Sequence, residues 1–460
     1  MSLRSGWRPR VRAAISGSAL DLAVFRITVA LVIAASSSAM VAVDWASLPA
    51  ATRVAPLGVG FLLPHLPITP ELVTGVRAVM YAACVTGALG LFSRTSFALV
   101  TVSAAYVLLI PQLGGAVFHD HHLLWFAALL AASPCGDALS VDAWRTRRRA
   151  AALPVGSPAH GLALRFAWLF VGLIYFFPAV HKLEAMGLDW ALSDNLRHQL
   201  WWKWAQDPRL LPRFRIDRVP WLLHGLAALT LLFELSFVLL VFVRRTRLLA
   251  VAAALAFHAG THVLMGIDFS VLYACYTMFL PWSSWLARVR ETAPPEPLLI
   301  VPSATQPVPH TLIAVGALLV TGVVAAGAAG AMQAYPFACY PTFAFDPGPS
   351  MPALRIDVLH ADGREERLPP ALYRAPGPRG VALEWRLLGA YGDFSEPRLR
   401  AWWQDEVQRE PLRGRVRHAR EVRFSRARVS VNPDDRGAVG DVRPLLTLLT
   451  SGPAPSHAVD

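Results

Sequence analysis

Apolar residues in this chain run on for stretches far longer than the polar interruptions of a surface helix or strand allow. A hydrocarbon core about 30 Å thick needs about 20 apolar residues of helix. Nine stretches approach that length: 20–43, 70–92, 95–113, 116–134, 160–183, 219–243, 246–266, 268–287 and 309–333. They predict an all-α polytopic membrane bundle of about nine transmembrane helices over residues 1–334. The proline-rich segment 292–309 reads as a linker. From Tyr335 the pattern changes: prolines, glycines and charges return and no spanning run remains. There, Ala353–Leu359 and Glu421–Val431 read as strands, the second from the alternation Val422, Phe424 and then Ala427, Val429, Val431. The one-residue slip between those sets predicts a bulge. Ser395 is placed to cap a helix through about Glu410. Residues 335–460 are therefore expected to form a small α+β extramembrane domain.

Composition agrees with the pattern. The chain is 55% hydrophobic and 16% charged, against roughly 25% charged for soluble domains. The net charge of +12 does not argue for nucleic acid, because the arginines sit at the ends of the apolar runs. With a cytoplasmic N-terminus, the inner segments hold Arg4 to Arg12, Arg94, Arg145 to Arg149, Arg244 to Arg247, Arg288 and Arg290. That is the distribution of the positive-inside rule, and it places the C-terminal domain outside. The segment 184–218 is an exception, with Arg197, Lys203, Arg209, Arg213, Arg215 and Arg218 beside Trp190, Trp201, Trp202 and Trp204. It is expected to lie along the outer surface as an interfacial helix. The N-terminal arginines resemble a signal peptide, but the run 20–43 is too long for one and reads as a first span. Cys84, Cys135, Cys275 and Cys339 are scattered without a CxxC, which argues against a disulfide framework or a zinc site. No internal repeat supports an inverted-repeat transporter.

Ionisable residues inside spans are costly and are functional candidates by default. They are Arg26, Arg77, His119, Asp120, His121, His122, Arg165, His181, Lys182, Glu234, His258 and His262. Run order places most of them in one layer near the outer face. Each has a plain alternative. Lys182, Arg26 and Arg165 lie near span ends, where long side chains snorkel. His258 and His262, four residues apart, share a helix face; that suits metal ligation, a proton relay or simple helix–helix hydrogen bonding. Glu234 lies nearest mid-membrane and must be neutral or paired. The histidines are too few for a metal oxygenase of the desaturase kind, so no metal is expected.

Five stretches carry a family resemblance: LDLAVFRI at 20–27, FHDHHLLWFAALLAASPCGDALSVDAW at 118–144, LIYFFPAVHKLEAMGLDW at 173–190, LLFELSFVLLVF at 231–242 and FHAGTHVLMGI at 257–267. With YPFACYPTFAF at 335–345 they resemble the HTTM (horizontally transferred transmembrane domain) family, bacterial relatives of the vitamin K-dependent gamma-carboxylase. The resemblance implies a bacterial inner-membrane protein. In the carboxylase a lysine in the stretch matching Lys182 deprotonates a reduced quinone, and a histidine matching His121 is implicated in the same chemistry. The resemblance thus implies a quinol-dependent oxygenase or carboxylase-like enzyme. Its cofactor would be a menaquinone-like reduced quinone, with Lys182 as base and His121, His258, His262 and Glu234 handling protons. The tail is too short for the carboxylase domain that grips a propeptide, so that route of protein recognition is not expected and the protein partner stays open. The alternative is a non-catalytic membrane module, a maturation or partner protein, whose polar set only holds helices together.

Overall fold

The computed structural model describes residues 14–113, 119–147, 157–290, 308–331, 334–339, 342–374, 378–389, 394–437 and 439–449. Among the described residues, seven helices are long and apolar enough to cross a membrane. The first is a broken pair, α1 (Ala19–Ala34) and α2 (Ser37–Ala46). Ser36 makes the break by accepting from the Ala39 N–H, so α2 starts with its own cap. Then come α3 (Pro70–Leu89) and α4 (Ser93–Gln112). A short α5 (His122–Ala132) precedes α6 (Pro158–Met186), which at 29 residues is about 43 Å long. A short transverse α7 (Asn195–Gln206) leads to α8 (Pro220–Leu240), α9 (Arg247–Met265) and α10 (His310–Ala328).

Two expected spans, 116–134 and 268–287, are corrected. The first holds the eleven-residue α5, about 16 Å long. The second holds Ser270–Tyr273 continued by a 3-10 turn, Ala274–Phe279. Nine of the eleven α5 residues are buried inside the bundle, and the second segment buries Leu272, Cys275, Tyr276, Met278 and Phe279. A helix that is apolar all round belongs either in lipid or in a protein core, and hydropathy does not separate the two.

Polar side chains tie the loops at each end of the bundle. At one end Arg26, fully buried, donates to the carbonyls of Cys135 (2.8 Å), Ala138 (3.1 Å), Leu139 (2.6 Å) and Ala88 (3.3 Å). The snorkelling expected of Arg26 is thus replaced by a four-carbonyl cap. Gly90 closes α3 at φ +68°, and a Cβ there would collide with Ser140 and approach Arg26 Nη1 at 2.9 Å. Asp142 accepts from the Phe92 and Ser93 amides, and Asp137 faces His160 at 2.8 Å. At the other end Asp120 accepts from the Ser38 N–H at 2.9 Å. Arg77 reaches the Ala39 and Met40 carbonyls.

The C-terminal residues form a four-stranded antiparallel sheet in the order β2 (Glu365–Arg367), β1 (Ser350–His360), β3 (Ala419–Ser430), β4 (Val439–Leu449). Against it pack α11 (Pro378–Leu387) and α12 (Glu396–Glu406). The predicted strands and the Ser395 cap are present, and β3 pairs with β4 through register shifts after Phe424 and after Ala427. β2, β4 and α11 were not anticipated. The sheet domain is latched to the bundle by Asp434, which accepts from Arg215 (3.1 Å) and Arg218 (2.9 Å).

The Arg26 cap predicts that Arg26→Leu, which strands several buried carbonyls, destabilises the bundle by about 3 kcal/mol or more. The unfolding midpoint in detergent measures it; a snorkelling arginine would leave the midpoint unchanged.

Candidate functional site

The sheet-domain end of the bundle holds a cavity of about 440 Å³ between α6, α8 and α9. Its walls are aliphatic and aromatic, including Ile174, Leu223, Phe233, Phe257 and Phe269. The ionisable groups on its wall are Lys182, Glu234, His258 and Tyr175. This is the usual build of a small-molecule site, apolar with a few convergent polar groups.

Lys182 lies near the C-terminus of α6, and Glu234 lies two-thirds along α8. Both are buried, at 3% and 5% exposure. Lys182 Nζ donates to both carboxylate oxygens of Glu234 at 2.6 Å. It also stands 4.8 Å from the centre of the Trp190 ring. So the lysine does not snorkel; it is held between a carboxylate and an aromatic face. A second polar group lies on the same wall. Tyr175 O–H contacts His258 Nε2 at 2.5 Å and also bonds Tyr276 O–H. His258 is 3.1 Å from the Tyr276 hydroxyl. Its other nitrogen, Nδ1, is buried with no hydrogen-bond partner.

The cavity thus brings Lys182 together with Glu234 and His258; the remaining sequence candidates do not line it. His262 is exposed and does not line the cavity. Four residues along a helix turn the side chain by about 40° and rise about 6 Å, enough to carry it past the wall that holds His258. His121 is buried outside the cavity lining, with Nε2 2.9 Å from the Ala338 carbonyl and its ring edge-on to Trp125 and Tyr335. Trp125 donates to the Pro336 carbonyl at 2.7 Å. His121 and Trp125 thus tie residues 334–339 to the bundle. His181 bridges Gly327 O (2.6 Å) and Glu184 (2.8 Å), joining α6 to α10. Among the described residues no group of three or more histidine, cysteine or acidic side chains is placed to hold a metal ion.

The roof of the cavity was not foreseen. Thr342 and Phe343 line it, and α7 clamps the segment that carries them. Trp190 donates to the Phe343 carbonyl (2.6 Å), Gln199 to Phe345 (2.9 Å) and Trp202 to Gly348 (2.8 Å), while His198 meets Asp346 at 2.8 Å. Of the tryptophans expected along the outer surface, Trp190, Trp202 and Trp204 donate to backbone carbonyls and Trp201 to the Asp217 carboxylate. One usable signal lay in the composition. The chain has only two lysines among 43 basic residues, Lys182 and Lys203. Lys182 lines the cavity, and Lys203, on α7, stands 5.7 Å from the centre of the Phe343 ring in the roof. Burial lowers the Lys203 pKa to about 8.

A family model, the HTTM domain, matches residues 17–285. No curated protein and no solved structure matches the chain.

The lysine pair gives a direct chemical test. At pH 8 Lys203, with its pKa near 8, carries a large neutral fraction, whereas Lys182 is enclosed and bonded to Glu234. An amine-acylating reagent should modify Lys203 well before Lys182, read by peptide mass spectrometry. Acylation of Lys182 first would mean that the cavity is open to water and the pair loose.

Proposed function

The chain belongs to the HTTM family, and we propose that its cavity is the reaction chamber of a membrane enzyme that deprotonates a reduced lipid quinone, with Lys182 as the base. The observation that carries this reading is the unpartnered, buried Nδ1 of His258 on the wall of an apolar cavity that also contains the Lys182–Glu234 pair. A buried polar atom without a partner is rare in native structures, and here it lies in a side chain that lines the cavity. The volume of about 440 Å³ lies within the range of small-molecule sites, about 300–1,000 Å³.

When bound, a reduced quinone supplies an acidic ring hydroxyl and two electrons for reaction with oxygen. The protein's part is proton handling. Glu234 holds the proton that leaves the Lys182 amine with its lone pair, and both carboxylate oxygens at 2.6 Å make that transfer short. The amine then takes the proton of the substrate hydroxyl. Trp190 keeps Nζ in place from the opposite side. His258 lines the cavity beside the pair, and Tyr175 and Tyr276 fix its imidazole through Nε2. The apolar walls exclude water and strengthen each of these interactions.

A second reading is favoured by the completeness of the pair. Lys182 is fully satisfied by Glu234 and Trp190, as a purely structural ion pair in a non-catalytic module would be. The two readings differ for Lys182→Arg. Arginine keeps the charge and the bond to Glu234 but does not give up its proton. We expect Lys182→Arg and Lys182→Ala each to lower quinol-dependent oxygen consumption by about 10²-fold or more, with insertion of the arginine variant unchanged. Full activity in Lys182→Arg would remove the base and leave the structural reading.

A further inference from the structure

The cavity wall is not closed on all sides. Most of its lining is buried or half-buried, but Leu229, Ala253 and Ala256 are exposed. All three lie along one seam, between α8 and α9. Leu229 is 60% exposed. The outward neighbours on the same two helices, Leu232, Leu239, Leu255 and Val263, are also large, apolar and exposed, so the surface around the seam is one that faces hydrocarbon. The α9 side of the seam is built from small residues: Ala253, Ala256 and Gly260 follow one another at three- and four-residue spacing. A Cβ added at Gly260 would meet nothing within 4 Å. Where α6 meets its neighbours, by contrast, glycines are packed tight: a Cβ at Gly172 would press on Val238 and one at Gly316 on Phe166. Gly260 therefore borders open space in the cavity wall itself. The roof of Thr342 and Phe343, clamped by Trp190 and α7, closes the route along the bundle axis.

We propose that the seam between α8 and α9 is a lateral gate, through which the cavity is loaded directly from the bilayer with an amphiphile. Its polar head reaches Lys182, Glu234 and His258, while its hydrocarbon chain stays between Leu229 and Gly260 and in the lipid. The volume of about 440 Å³ houses a head group rather than a long chain, and the lining seam gives the chain a way out. The choice of head group rests on the function proposed above; the gate itself, the route by which the cavity is loaded, stands on the exposed lining residues whatever the head group is.

A photoactivatable alkyl diazirine, partitioned into nanodiscs that contain the full-length protein, tests the gate without reference to any reaction. In the wild type it should label the cavity residues Phe233 and Tyr175 as well as the lipid-facing Leu232 and Leu239, read by peptide mass spectrometry. Gly260→Leu and Ala256→Phe, which fill the seam, should each abolish labelling of Phe233 and Tyr175 and leave Leu232 and Leu239 labelled, the latter showing that the bundle is intact. Ala252→Phe, exposed on α9 but outside the cavity lining, should change nothing. Absence of cavity labelling in the wild type overturns the gate, as does labelling that persists when the seam is filled. The head group is tested separately by competition in the wild type. A reduced naphthoquinone with an isoprenoid chain should suppress cavity labelling. Failure to compete, with the labelling pattern otherwise as expected, overturns the quinone reading and leaves the gate standing.

Discussion

Hydrocarbon offers no partner to a polar atom, so every amide, carbonyl and charge in a membrane bundle must be satisfied from within the protein. Much of this structure follows from that constraint. Ser36 ends one half of the first crossing and starts the other with its own cap. Arg26 gathers three carbonyls from a loop that has no helix to pair them and a fourth from the last turn of α3. Asp120, Asp142 and His160 each close a helix end or a turn. Against that background Lys182 and Glu234 stand apart. They satisfy each other, but they close no turn and cap no helix, and they do so on the wall of a cavity rather than inside a packed contact.

That distinction decides how the pair is read. A buried ion pair is a weak source of stability, because desolvating two charges offsets most of their attraction. An apolar pair of the same size serves a bundle as well or better. A pair kept at a cavity wall, beside a histidine with an unmet nitrogen, is better explained by what it does to a ligand. The roof and the seam complete the arrangement: Trp190, just before α7, and Trp202, on it, hold residues 342–348 over the axial end, and small residues on α9 line the side that faces lipid. In the proposed function, Lys182 is thereby shielded from water and served from the bilayer.

How much of this was legible in the sequence depended on range. Seven crossings could be read because length and hydropathy are local properties. The two short buried helices could not be told from spans, because a core-facing and a lipid-facing apolar helix have the same composition. Lys182 and Glu234 were visible as charges within apolar runs, yet their bond joins residues 52 positions apart and no local pattern encodes it. His258 and His262 looked equivalent on one face, and only the position of the wall separates them. The contact that His121 makes was not legible either, because its partner, Ala338, lies far along the chain. Tyr175 and Tyr276 went unnoticed because tyrosines in apolar runs are common; their meeting at His258 is a tertiary fact.

The central claim is that the Lys182–Glu234 pair is kept for proton transfer and not for stability. Replacing both members at once with apolar residues of similar size, Lys182→Met with Glu234→Leu, separates the two roles, since neither charge is left alone. The measurement is the unfolding midpoint of the purified double variant alongside its quinol-dependent oxygen consumption. The account predicts a midpoint equal to or above the wild type, by about 1–4 kcal/mol at most, with the activity gone. A midpoint well below the wild type, or activity that survives, would contradict it.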